Sequence, residues 1–198
     1  MTSRIDKLRA QIRAAQSELF DEIEERRARF RYSFAGRRVQ FEGEIRARHR
    51  AARENLVSFL SRARPLVLLT APVIYALILP FVLLDLFVTV YQAVCFPVYG
   101  IPRVRRAEYI VIDRHQLQYL NALQKLNCIY CGYCNGLIGY VREIAARTEA
   151  YWCPIKHARR IADPHDQYTG FADFGDDSGF QAHVEAQRAA LKGRVDQT

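Results

Sequence analysis

The sequence predicts an all-α, membrane-attached protein in which a long amphipathic N-terminal helix, an apolar membrane hairpin and a small helical cysteine-rich domain follow one another. Three observations carry that prediction. From Leu66 to Ile101 there are 36 residues whose sole charge is Asp85, too long and too apolar a run for the core helix of a soluble domain. Before it, apolar residues return at every eleventh position. After it, cysteines recur at two-residue spacing between segments of helical periodicity. The expected divisions are 1–64 for the Arg-rich helix, 65–102 for the membrane segment, 103–162 for the cysteine-rich domain, and 163–198 for an acidic loop and a last helix.

In the N-terminal segment, Leu8, Leu19, Phe30, Phe41 and Ala52 form one apolar track, and Ile12, Ile23, Phe34, Ile45 and Leu56 form the other. An 11-residue period is about 3.67 residues per turn, so the tracks make one stripe on a nearly straight helix of roughly 50 residues. A stripe this narrow suits pairing with another helix, in a homo-oligomer or with a protein partner; a lipid surface is the competing cover. Gly36 and Gly43 each cost about 1 kcal/mol against Ala and permit a bend between them. Residues 1–64 hold 16 Lys and Arg against 9 Asp and Glu. Positive charge attracts phosphate, but Asp21, Glu22, Glu24 and Glu25 interrupt the run and no recognition fold is legible. Nucleic acid is therefore the poorest choice of partner, and membrane lipid with its anionic headgroups the better one.

Arg62 and Arg64 precede the apolar stretch, and Arg103, Arg105 and Arg106 follow it, so both ends favour the cytoplasm. Pro80 divides the stretch. The arm before it, 14 residues, reaches only about 21 Å, short of the roughly 30 Å hydrocarbon core. A re-entrant or tightly kinked hairpin is expected, with a single tilted span from about Leu66 to Val90 as the alternative. Asp85 has no partner charge within the arms, and a capping role or a functional one is open to it.

Beyond the membrane segment, Asp113 is placed to cap a helix carrying Leu117, Leu120, Leu123 and Leu126. Asn135-Gly136 signals a turn, and a second helix is expected from Leu137 to Tyr151, ending at Trp152-Cys153-Pro154. The candidate metal ligands are Cys128, Cys131, Cys134, Cys153 and His157. Cys128-x2-Cys131 with Cys153-x3-His157 has the two-pair spacing of a structural Zn2+ site that would staple the helices and leave Cys134 spare. Fifteen helical residues span roughly 22 Å, so the second helix must be short, or the chain must fold back, for Cys153 to rejoin the others. With no metal, the cysteines are small buried hydrophobes.

The run Cys128-Ile-Tyr-Cys131-Gly-Tyr-Cys134, with Cys153-Pro154, resembles the cluster-binding motif of bacterial-type ferredoxins. That resemblance implies a [4Fe–4S] cluster on Cys128, Cys131, Cys134 and Cys153; Tyr130 and Tyr133 depart from it, and the repeat partner is missing. At greater length, YGIPRVRRAEYIVIDRHQLQYLNALQKLNCIYCGYCNG with EIAARTEAYWCPIKHARR is similar to an uncharacterised family of bacterial membrane-associated proteins. This implies a bacterial source and a shared architecture, and no activity.

The acidic segment containing Asp163, His165, Asp166 and Asp173 matches no calcium loop and reads as solvated. No glycine-rich phosphate loop and no nucleophile elbow is present, which leaves an enzyme the least supported class. The sequence thus points to a metal-site module with an assembly or interaction role on the cytoplasmic face of a bacterial inner membrane. The alternative is an iron–sulfur electron-transfer protein serving a membrane enzyme.

Overall fold

A computed structural model describes residues 4–30, 32–36 and 38–193. The chain is mostly helical and divides into two compact units, residues 1–61 with 113–126 and residues 62–112 with 127–198.

The first unit opens with α1 (Arg4–Ala28), none of whose residues is buried. Its charged faces are tied by Arg26–Glu22 at 2.8 Å and by Arg27–Glu24, while Leu8, Ile12 and Leu19 of the apolar stripe are exposed. The stripe does not continue as one helix. A two-stranded hairpin follows, β1 (Tyr32–Ala35) and β2 (Arg38–Phe41), antiparallel, with Tyr32 opposite Phe41 and Phe34 opposite Val39. Gly36 opens its turn at φ 61°, a conformation that glycine adopts without a Cβ penalty. Tyr32, Phe34, Val39 and Phe41 thereby share one face, and rings at 5.5 Å (Tyr32–Phe34) and 5.8 Å (Tyr32–Phe41) stabilise it. The short helices α2 (Gly43–Ala51) and α3 (Leu56–Arg62) complete this half.

Residues 113–126 join the same unit. The backbone N–H of Val39 donates to Gln116 Oε1 at 2.7 Å, and His49 bridges the rings of Phe41 (4.8 Å) and Tyr119 (5.0 Å). Asp113 does not cap a long helix; it precedes a single 3-10 turn, Arg114–Gln116. The long helix starts later, at a reciprocal capping box. Gln124 N–H donates to Asn121 Oδ1 at 3.0 Å, and Asn121 N–H donates to Gln124 Oε1 at 2.9 Å.

In the second unit, α4 (Pro65–Ala76) and α5 (Ile78–Tyr99) are joined through Leu77, itself in the right-handed helical region. The two form one rod of 35 residues, Pro65–Tyr99, long and apolar enough to cross a membrane. The expected reversal at Pro80 is absent. Pro80 is the third residue of α5, where its missing N–H would have had no partner within the helix. The rod ends in a Schellman motif: Gly100 at φ 67°, Gly100 N–H to Pro97 O at 3.3 Å and Ile101 N–H to Phe96 O at 2.9 Å, with Phe96 and Ile101 both in the core.

From this cap the chain turns back. Val104 lies against Gln92, Arg106 against Asp85, and Tyr109 and Ile110 against Gly136. This return segment includes the single turn α6 (Arg106–Tyr109). Then α7 (Ala122–Trp152) runs as one helix of 31 residues. The turn expected at Asn135-Gly136 is therefore not formed: Asn135 Nδ2 donates to the Cys131 carbonyl one turn back, at 2.9 Å, and Gly136 serves close packing instead. α7 lies parallel to the rod, as shown by Tyr130 OH to Ile74 O (2.8 Å), Gln92 Nε2 to Tyr140 OH (2.8 Å), Tyr91 OH to Thr148 Oγ1 (2.9 Å) and stacked Tyr99–Tyr151 (5.0 Å). The end expected at Trp152-Cys153-Pro154 is observed. The last helix, α8 (Phe180–Gly193), buries Val184 and Leu191, and Arg188 lies over the Tyr151 ring at 4.6 Å.

Candidate functional site

Cys128, Cys131 and Cys134 all stand on α7. Three-residue steps on an α-helix fall about 60° short of a full turn, so the three thiols spread over about 120° of its circumference and about 9 Å of its length. Their environments follow from that spread. Cys128 is half-buried, Cys131 exposed and Cys134 buried. Cys153 lies just past the end of the same helix and is exposed. An unbroken helix separates it from Cys134 by roughly 28 Å, so the chain neither shortens nor folds back to return it. His157 is further on, its backbone N–H donating to Tyr168 OH at 2.7 Å and its ring stacked on Tyr168 at 6.0 Å. Among the described residues, no three His, Cys, Asp or Glu side chains are placed to share an ion.

The thiols differ in exposure, Cys134 being the buried one. Burial pushes the Cys134 thiol up, an effect partly offset by its hydrogen bond with Tyr130, which disfavours the thiolate that would bind metal or attack an electrophile. With iodoacetamide at neutral pH, Cys131 and Cys153 should be alkylated at least about tenfold faster than Cys134, as counted by peptide mass spectrometry. Equal rates would mean that α7 presents a different face.

The polar focus that the sequence hid is Asp85. Its carboxylate accepts from Arg106 through both Nε (3.3 Å) and Nη2, from Tyr133 OH at 2.9 Å and from Thr89 Oγ1 at 3.3 Å. The partner charge comes from the return segment, 21 residues away, which is why nothing within the apolar arms revealed it. Tyr133, donating to this carboxylate and partly buried, has its own pKa pushed up to about 12 by burial and by Asp85. It is a fixed donor at physiological pH. Two turns further along, Gln92 spans the same gap: its Oε1 accepts from Val104 N–H at 2.6 Å, and its Nε2 donates to Tyr140 OH at 2.8 Å.

Tyr75, whose OH donates to Asn127 Oδ1, Asp85 and Gln92 thus form one polar line along the rod, turned toward α7 and the return segment; Tyr91, about 100° round the helix from Gln92, reaches α7 through its hydroxyl. Exposed Leu69, Leu83, Phe87, Val90, Val94 and Val98 lie on its far side. Such a distribution inverts that of a surface helix in a soluble protein, whose apolar face is the one covered.

A second polar group sits beyond α7. His165 Nε2 lies 2.9 Å from Glu149 Oε2, Arg142 pairs with Asp163 at 3.1 Å, and Lys156 pairs with Asp173 at 2.7 Å, which holds the Asp173 carboxyl below its usual range. These contacts fasten the 155–173 loop, whose Ile155 and Ala172 form a parallel bridge. An open cavity of about 670 Å³ lies beside it, lined by His157, Arg159, Arg160 and Tyr168 among others.

No family model matches the chain, and neither a curated protein nor a solved structure matches it.

Proposed function

We propose that this chain is a membrane-attached helical module with an assembly or interaction role, held on the cytoplasmic face of a bacterial inner membrane by the Pro65–Tyr99 rod. The observation that carries the reading is the two-sidedness of that rod: its polar groups are spent on contacts within the protein, and its exposed side chains are apolar, mostly Leu, Val and Pro, apart from Thr70 and Thr89. Basic residues at both ends, Arg62 and Arg64 before and Arg103 and Arg105 after, suit anionic headgroups on the cytoplasmic side. The interaction role rests on α1, whose apolar stripe is uncovered and suits a second helix. The thiols of α7 are not assigned a metal in this reading.

Fractionation of cells expressing the full chain tests it. The protein should sediment with membranes, stay there in high salt, which screens charge but not apolar contact, and leave in detergent. In detergent, cross-linking should trap an oligomer or a partner, and Leu8→Asp with Leu19→Asp should diminish that product severalfold. A monomer recovered in the soluble fraction without detergent would refute the proposal.

A further inference from the structure

The apolar rod is too long for a simple crossing: 35 residues extend about 51 Å, against a hydrocarbon core of roughly 30 Å. Two features of the surrounding chain bear on how it meets lipid. Residues on either side of the rod in sequence belong to one compact unit, with Val39 N–H on Gln116 Oε1 and His49 against Tyr119, so segments 39–49 and 116–119 occupy the same side of any membrane. The return segment also runs back along the rod carrying Arg103, Arg105, Arg106 and Glu108. If the rod crossed a bilayer, those four charges would have to travel with it; ionisable groups at bilayer depth are costly and rare.

We propose that the rod lies in the plane of one leaflet, with the Leu69, Leu83 and Val98 side of α4–α5 in the acyl region and the line from Tyr75 through Asp85 to Gln92 facing its own protein. The inference rests on the membrane attachment proposed above and specifies its geometry. Both ends then sit at the same headgroup surface, which matches the basic residues found at each of them. The Asp85–Arg106 pair, with Tyr133 and Thr89, lies on the protein side of the rod and need not enter hydrocarbon. A helix bound this way is buried to about 5–10 Å at the headgroup boundary along its whole length.

Depth-dependent fluorescence quenching tests this with the full-length protein. Trp152 is the only tryptophan; in a Trp152→Phe background, tryptophan is introduced at Leu69, Leu83 or Val98, and each variant is placed in phosphatidylcholine–phosphatidylglycerol vesicles containing lipid brominated near the headgroup, at mid-chain or at the chain end. The expected result is that the same shallow bromine quenches all three variants most strongly. Leu69 and Val98 are about 43 Å apart along the axis, so a crossing rod would instead give strongest quenching by the chain-end bromine at Leu83 and weak quenching at the other two. That outcome overturns the in-plane geometry and leaves membrane attachment standing. Absence of quenching by any brominated lipid overturns both. Because a tryptophan can disturb packing, the unsubstituted chain with an epitope tag at each end is digested in spheroplasts and in inverted vesicles. Both tags should be cleaved only in inverted vesicles, and cleavage of one tag in each preparation would refute the single-leaflet placement.

Discussion

Gly136→Ala should destabilise the protein by about 2 kcal/mol, although Ala is the better helix former by about 1 kcal/mol. A Cβ at this position would lie 2.5 Å from the Tyr109 carbonyl oxygen and 2.8 Å from Ile110 Cα. Both are backbone atoms of the return segment, so no side-chain rotation relieves the overlap; the segment must move away from α7, and with it Arg106 from Asp85. Gly139→Ala is the control. Its Cβ would meet only the Tyr109 ring, at 3.2 Å, and a ring can shift, so propensity and crowding should nearly cancel. Thermal unfolding of the two variants in detergent micelles, followed by circular dichroism, separates them. A Gly136→Ala protein as stable as its parent would mean that the return segment does not run where the structure has it.

The same glycine shows what the sequence could and could not disclose. Asn-Gly is a strong turn signal because both residues tolerate positive φ, yet here the pair is held in a helix by the Asn135 amide on the Cys131 carbonyl. The need for a residue without Cβ arises from Tyr109, 27 positions away, and no local pattern contains it. Asp85 and Arg106 are hidden in the same way. Asp85 has no partner charge within the arms and Arg106 reads as one of the basic residues flanking them, because the two meet only through the Gly100 cap and the reversal after it. The features that local physics fixes are legible: the membrane-length apolar segment from its composition, though not its running on through Pro80, the end of α7 from Pro154, and the presence of a last helix. The β-hairpin was missed because counting every eleventh residue steps over the alternation of Tyr32 with Phe34 and of Val39 with Phe41, and treats Gly36 as a defect in a helix instead of the turn.

The cysteines make the point from the side of chemistry. Two-residue spacing converges thiolates when the intervening chain is a loop that wraps an ion. On a helix the same spacing fans them out, and α7 is helical through all three. The capping box at Asn121 and Gln124 was present in the sequence as Asn-x-x-Gln. Its recognition places a helix start six residues before Cys128, and with it the whole Cys128–Cys134 run on a helix.

Gln92→Leu should cost about 2–4 kcal/mol in the same unfolding assay, because it leaves two buried groups without partners at about 1–3 kcal/mol each. Gln92 is 6% exposed; its carbonyl takes the Val104 N–H and its amide serves the Tyr140 hydroxyl. Leucine preserves the volume, so the loss is one of hydrogen bonding and not of packing. Tyr140→Phe removes only the hydroxyl and should cost about 1 kcal/mol. The double variant decides whether the amide acts as one joint between three elements. If Gln92 couples α5 to both the return segment and α7, the double variant should be less destabilised than the sum of the two single ones, since the Tyr140 hydroxyl is no longer there to be orphaned. Strict additivity would mean that the two contacts are independent. A negligible effect of Gln92→Leu would mean that the polar line is not what turns this side of the rod toward its own protein, and the division of its surface into a protein side and a lipid side would lose its physical cause.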